Sequence, residues 1–149
     1  MQSVLALIQI ITDSPRSTIM IAHRRAIMNA NQTKDFQSKL KVELDSVRCE
    51  FLNELKDAQH EFTGELASML ENSTPGEWID LAVTKINPNQ FPRFQRLMEL
   101  EAALCQIDIG QFGYCCDCET KLELLELSKD PAKQRCPVCE EKNRKKLQN

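Results

Sequence analysis

Aromatic side chains make up only 5% of this 149-residue chain, and there are 4 glycines. That shortage argues for helices over a β-sandwich. No apolar run approaches the roughly 20 residues needed to cross a bilayer. The 2 histidines, His23 and His60, have neither a visible nucleophile nor an HExxH setting, so no enzymatic activity is expected. The formal net charge of -3 is wrong for a chain that coats DNA electrostatically. The aliphatic run Val4–Ile11 (VLALIQII), stopped by Asp13-Ser14-Pro15, lacks a basic start and a small-residue cleavage site, so a secretory signal is not expected. It reads as a packed helix or as residues upstream of a start at Met20 or Met28, and the residues do not choose between these. The length and the 28% of charged positions suit one small domain with an extension, or two small domains.

Cysteine, by contrast, is plentiful at 7 residues. Cys115, Cys118, Cys136 and Cys139 form C-x2-C-x17-C-x2-C, a spacing that places four thiolates around one tetrahedral Zn²⁺. Few large apolar residues lie between Phe112 and the end, so metal binding is expected to supply the folding energy there. A redox dithiol is the main rival, because Cys136-Pro137-Val138-Cys139 has the shape of a thioredoxin-like motif. No βαβ pattern surrounds it, however, and the other pair would go unexplained. A disulfide framework would require secretion. Cys49, Cys105 and Cys116 remain as spare thiols; this odd remainder suits a reducing compartment, and a cytoplasmic location is expected. Four cysteine ligands leave no open position for a catalytic water.

From Phe36 the apolar residues recur in steps of 4, 4 and 3: Phe36, Leu40, Leu44, Val47, Phe51, Leu55, Ala58, Phe62, Leu66, Met69. An eleven-residue period is 3.67 residues per turn, close to a straight α-helix. This predicts an amphipathic helix about 50 Å long that needs a partner. Thr74, Pro75 and Glu77 read as N-cap, N1 and N3 of a second helix, closing a capping box. Asn87-Pro88 is expected to kink or break that helix, with apolar spacing resuming at Phe91, Phe94, Met98, Ala102, Cys105 and Ile109. Arms of equal length predict an antiparallel helical hairpin over residues 35–110, with its tip near 73–82. An N-terminal segment, 1–34, precedes it; a four-cysteine finger with a C-terminal helix, 111–149, follows as a small globular base. At the tip, Glu77-Trp78-Ile79-Asp80 sets two carboxylates three residues apart on one helix face. They serve either as cap and dipole partner, with Trp78 plugging the arms, or as the working end of the stalk.

With these residues in place the chain resembles the DksA/TraR family of bacterial transcription regulators. The resemblance is carried by Phe112-Gly113-Tyr114-Cys115-x-x-Cys118, Asp130-Pro131 and Cys136-x-x-Cys139 after a long hairpin, and at motif level it covers residues 112–139 alone. The family's DxxDxA tip corresponds to Glu77-x-x-Asp80-x-Ala82, with a conservative change at the first acid. The resemblance implies a zinc-containing, non-catalytic protein that binds RNA polymerase and inserts its tip, Glu77, Trp78, Asp80 and Ala82, through the secondary channel to modulate initiation. Family members that sense the alarmone ppGpp carry basic side chains where this chain has Glu99, Asp130 and Glu140, and a basic pair where it has Leu125-Glu126. Acid at those places repels an anionic nucleotide, so a weak ppGpp response is expected.

Two other functions stay open. GATA-type DNA-binding fingers use a similar cysteine spacing. From Cys115 to Asn149, however, eight basic side chains face seven acidic ones, too small an excess to track phosphates, and no sequence-specific DNA binding is expected. A zinc-stabilised adaptor would keep the stalk and the metal but be indifferent to changes at the tip. A monomer is expected, with no membrane partner.

Overall fold

The computed structural model describes residues 28–148. Val4–Ile11 and the start at Met20 therefore lie outside the described residues. Six α-helices appear among them: α1 (Ala30–Asp57), α2 (Glu61–Glu71), α3 (Trp78–Val83), α4 (Pro92–Asp108), α5 (Leu124–Lys129) and α6 (Pro137–Leu147). They contain no strand, only an isolated bridge between Tyr114 and Lys121. None of the helices is long and apolar enough to cross a membrane.

α1 starts earlier than the expected 35, because Asn29 caps it: its side chain accepts from Gln32 N at 2.8 Å, while the Gln32 side chain accepts from Asn29 N. The apolar row then does what its period predicts, and Phe36, Leu40, Leu44, Val47, Phe51 and Leu55 are all buried. Their partner is α4, running antiparallel. Glu43 pairs with Arg96 and Glu50 with Arg93, each at 2.7 Å, and Arg48 pairs with Glu101. Phe51 stacks on Phe94 at 5.3 Å and meets Phe91 edge-on at 6.4 Å. These aromatic contacts carry geometry as well as area.

The continuous first arm to Met69 is not observed. α1 ends at Asp57, and Gln59 takes a left-handed conformation, φ 51°. Lys56 pairs with Glu71, fifteen residues on, which a straight helix would place about 22 Å away. α2 therefore folds back beside the end of α1. The apolar face shifts with it: Thr63, Leu66, Ala67 and Leu70 are buried, while Phe62 and Met69 are exposed. A left-handed non-glycine residue costs about 1–2 kcal/mol; burying Leu66, Ala67 and Leu70 offsets it.

The expected capping box does form. Thr74 N donates to Glu77 Oε2 at 2.9 Å, and Thr74 Oγ1 lies 2.8 Å from the same oxygen. It opens a 3-10 turn, Pro75–Glu77, that runs into the short α3. The break at Asn87-Pro88 is present as well: Asn87 caps a second 3-10 turn, Pro88–Gln90, and Pro92 starts α4. Within α4 the buried row is Phe94, Leu97, Leu100 and Ala103, in place of the expected Met98, Ala102, Cys105 and Ile109. Met98 and Ala102 are partly covered, and Cys105 and Ile109 are exposed. Two apolar rows run along this helix, and α1 selects the one that continues from Phe94. Phe36, near the start of α1, meets Phe112 at 5.7 Å, so the cysteine segment packs beside that end, away from α2 and α3.

Candidate metal centre

Each cysteine pair is positioned by a tight backbone device. Gly113, at φ 91°, lets the chain reverse so that Leu122 N donates to Gly113 O and Cys115 N to Thr120 O, both at 2.8 Å. Glu119, at φ 58°, closes the turn by donating to Cys115 O. The second pair sits at a helix start, where Cys136 is the N-cap of α6, Pro137 occupies N1, and Cys139 N donates to Cys136 Sγ at 3.5 Å. A helix N-terminus favours thiolate over thiol. The two knuckles are held together by Cys116 N, which donates to Gln134 O at 2.8 Å.

Together these devices bring the sulfurs of Cys115, Cys118, Cys136 and Cys139 within 4.8 Å of one another. Cys118 Sγ and Cys136 Sγ are 3.7 Å apart. A tetrahedral zinc–thiolate site with bonds of about 2.3 Å has sulfur–sulfur edges of about 3.8 Å, so the arrangement fits such an ion. Crowding already splits the thiols. The Thr120 hydroxyl, 3.1 Å from Cys118 Sγ, leads several donors in holding the Cys118 thiol down to about 6. Contacts with the Cys118 and Cys136 sulfurs push Cys139 up to about 12. At Cys115 burial opposes ionisation, but N–H groups of Cys136, Cys118 and Asp117 outweigh it and lower its pKa. A cation held by the four sulfurs would replace this proton sharing by direct charge neutralisation. Cys116 stays outside the group, beside Asp117 and exposed; burial of its sulfur raises its pKa. Cys49 and Cys105 are exposed on α1 and α4.

The segment is fastened to the helix pair by a hub that the sequence reading missed. The Arg96 guanidinium reaches Glu43 of α1 at 2.7 Å, Glu99 of α4 at 3.1 Å and Asp130 at 2.9 Å. Burial opposes ionisation of Asp130, yet the hydrogen bond and charge of Arg96 prevail and lower its pKa. The same carboxylate accepts from Ala132 N, and Gln134 Nε2 donates to Glu99 O at 3.1 Å. Lys133 bridges Glu126 at 2.6 Å and Glu140 at 3.5 Å, and Arg135 pairs with Asp117 at 2.8 Å. The spacing of Arg96 and Glu99 shows an in-helix pair, but nothing local indicates that Asp130 joins it.

The four residues expected at the tip are not equally available. Trp78 and Ala82 are buried, and Trp78 Nε1 has no hydrogen-bond partner among the described residues. Glu77 is exposed but engaged with Thr74, whose backbone and hydroxyl groups lower its pKa. Asp80 is exposed and makes no ion pair with any described residue. No protein-family profile, no curated protein and no solved structure matches this chain.

Proposed function

We propose that this chain is a non-catalytic transcription regulator resembling the DksA/TraR family, which docks on bacterial RNA polymerase in the cytoplasm as a zinc-loaded monomer. The metal would be held by Cys115, Cys118, Cys136 and Cys139, and it would supply a rigid base for the helices. The observation that carries the reading is the four-sulfur cluster built on Phe112-Gly113-Tyr114-Cys115 and fastened to an antiparallel helix pair. At the other end of that pair, Asp80 presents a carboxylate with no ion-pair partner among the described residues, which a basic channel wall would attract. Entry through the secondary channel, with Glu77, Trp78, Asp80 and Ala82 leading, then rests chiefly on Asp80, since Trp78 and Ala82 support it from below. A weak ppGpp response fits as well: Glu99 and Asp130 share Arg96, and Glu126 and Glu140 share Lys133, so these two cations are already engaged by carboxylates.

The test is in vitro transcription from a ribosomal-RNA-type promoter with bacterial polymerase and metal-loaded protein. Wild type should alter initiation, while Asp80→Asn should bind polymerase and leave initiation unchanged. Burial of Trp78 and Ala82 favours one alternative, a zinc-stabilised adaptor. An adaptor would show neither an effect on initiation nor competition for the secondary channel.

A further inference from the structure

We infer that the outer face of α2 is a docking site for a lysine- or arginine-rich amphipathic helix of a partner protein. Isolated exposed apolar residues are ordinary, but Phe62 and Met69 are two large ones seven residues apart, 45% and 40% exposed. Seven residues are almost two full turns, so both side chains stand on one row about 10 Å long, parallel to the helix axis. The apolar sector of α2 is wider than its packing uses. Thr63, Leu66, Ala67 and Leu70 cover the core side, and Phe62 and Met69 form an uncovered margin. An apolar row along a helix axis suits the apolar face of another helix.

The charge around that row selects the occupant. Residues 54–85 hold seven carboxylates against two lysines. Glu71 is taken by Lys56 and Glu77 by Thr74, whereas Asp57, Glu61, Glu65 and Asp80 have no cation within 4 Å among the described residues. Glu61 and Glu65 follow Met69 and Phe62 around the helix, so the row is bordered by free negative charge. Phosphate backbones and anionic lipid surfaces are repelled by such a border. A second copy packing through the same face would oppose like charges across a two-fold axis. A cationic helix meets both requirements, apolar on one side and basic on its flanks. This inference does not rest on the polymerase reading, since any partner with such a helix satisfies it.

The probe is a fluorescent synthetic peptide of leucine and lysine in helical amphipathic register, titrated with the full metal-loaded chain by anisotropy. Binding in the micromolar range is expected, weakened at least tenfold by Phe62→Ser with Met69→Gln. Glu61→Gln with Glu65→Gln should weaken binding less and flatten its salt dependence. All four positions are exposed, and unchanged Trp78 emission verifies that the variants stay folded. Equal binding by wild type and the apolar double variant overturns the inference, as does no binding at all. Equal binding of a leucine–glutamate peptide also overturns it, since the face would then be merely apolar. Sedimentation showing self-association that the apolar double variant abolishes would assign the face to a second copy and overturn it too.

Discussion

At one end of the α1–α4 pair, Leu66, Ala67, Leu70, Trp78, Ala82 and Ile86 are buried among short helices. At the other end, residues 112–148 bury Phe112, Leu122, Leu127 and Ala132 as their apolar side chains, beside Cys115 and Cys139. The first region closes by removing carbon from water, which needs no ligand. The second has too little carbon to do so, and closes through four sulfurs, one arginine hub and short backbone turns. The two ends of one helix pair should therefore fail under different insults. The chain carries a probe for each, since its 1 tryptophan, Trp78, lies in the apolar lobe and its 1 tyrosine, Tyr114, in the cysteine segment.

Metal removal makes the sharpest separation. Binding to a structural four-cysteine site is worth about 10–16 kcal/mol, more than such a segment recovers otherwise. Chelation, or Cys115→Ser, should abolish amide protection across residues 112–148 and perturb Tyr114, while Trp78 emission stays in place. Hydrogen exchange followed by fluorescence checks this; loss of Trp78 burial on chelation would mean that the two ends fold as one unit.

The converse insult is Trp78→Ala, expected to cost about 3–5 kcal/mol, as for a large buried aromatic. Protection should fall around α2 and α3 in exchange experiments, with metal stoichiometry unchanged by elemental analysis. Arg96→Met acts on the fastening between the regions and should cost about 1–2 kcal/mol. That is below the cost of breaking a fully buried pair, because water reaches this network. Its pH dependence has a definite sign. The Asp130 pKa is lowered from its ordinary 3.8, so the Arg96 contribution is fully present above that value and is lost as pH falls below it. The stability gap between wild type and Arg96→Met should therefore close in acid, as measured by denaturant titration at stepped pH.

The smallest effect has the opposite sign. Gln59→Gly removes the side chain from a left-handed residue and should stabilise the α1–α2 bend by about 1 kcal/mol. A rise in melting temperature without a change in metal content checks it. A fall would mean that the Gln59 side chain contributes packing that its conformation does not suggest.

Features set by a few neighbouring residues are legible in the chain alone. Each CxxC turn brings its own two sulfurs together, Thr74 and Glu77 can close only a local capping box, and Asn87-Pro88 cannot continue a helix. The stripe from Phe36 to Leu55 likewise allows one buried face, because its period matches the helix. The remainder depends on contacts between residues far apart in the chain. Asp57-Ala58-Gln59-His60 contains neither glycine nor proline, so the chain turns there because folding back buries Leu66, Ala67 and Leu70. α4 has two apolar rows, and only the face of α1 chooses between them. The Arg96 hub joins residues 43, 96, 99 and 130 across separate elements. Local chemistry fixes the caps and the proline stop, whereas the end of α1 and the direction and rotation of the helices follow from which surfaces can be buried together.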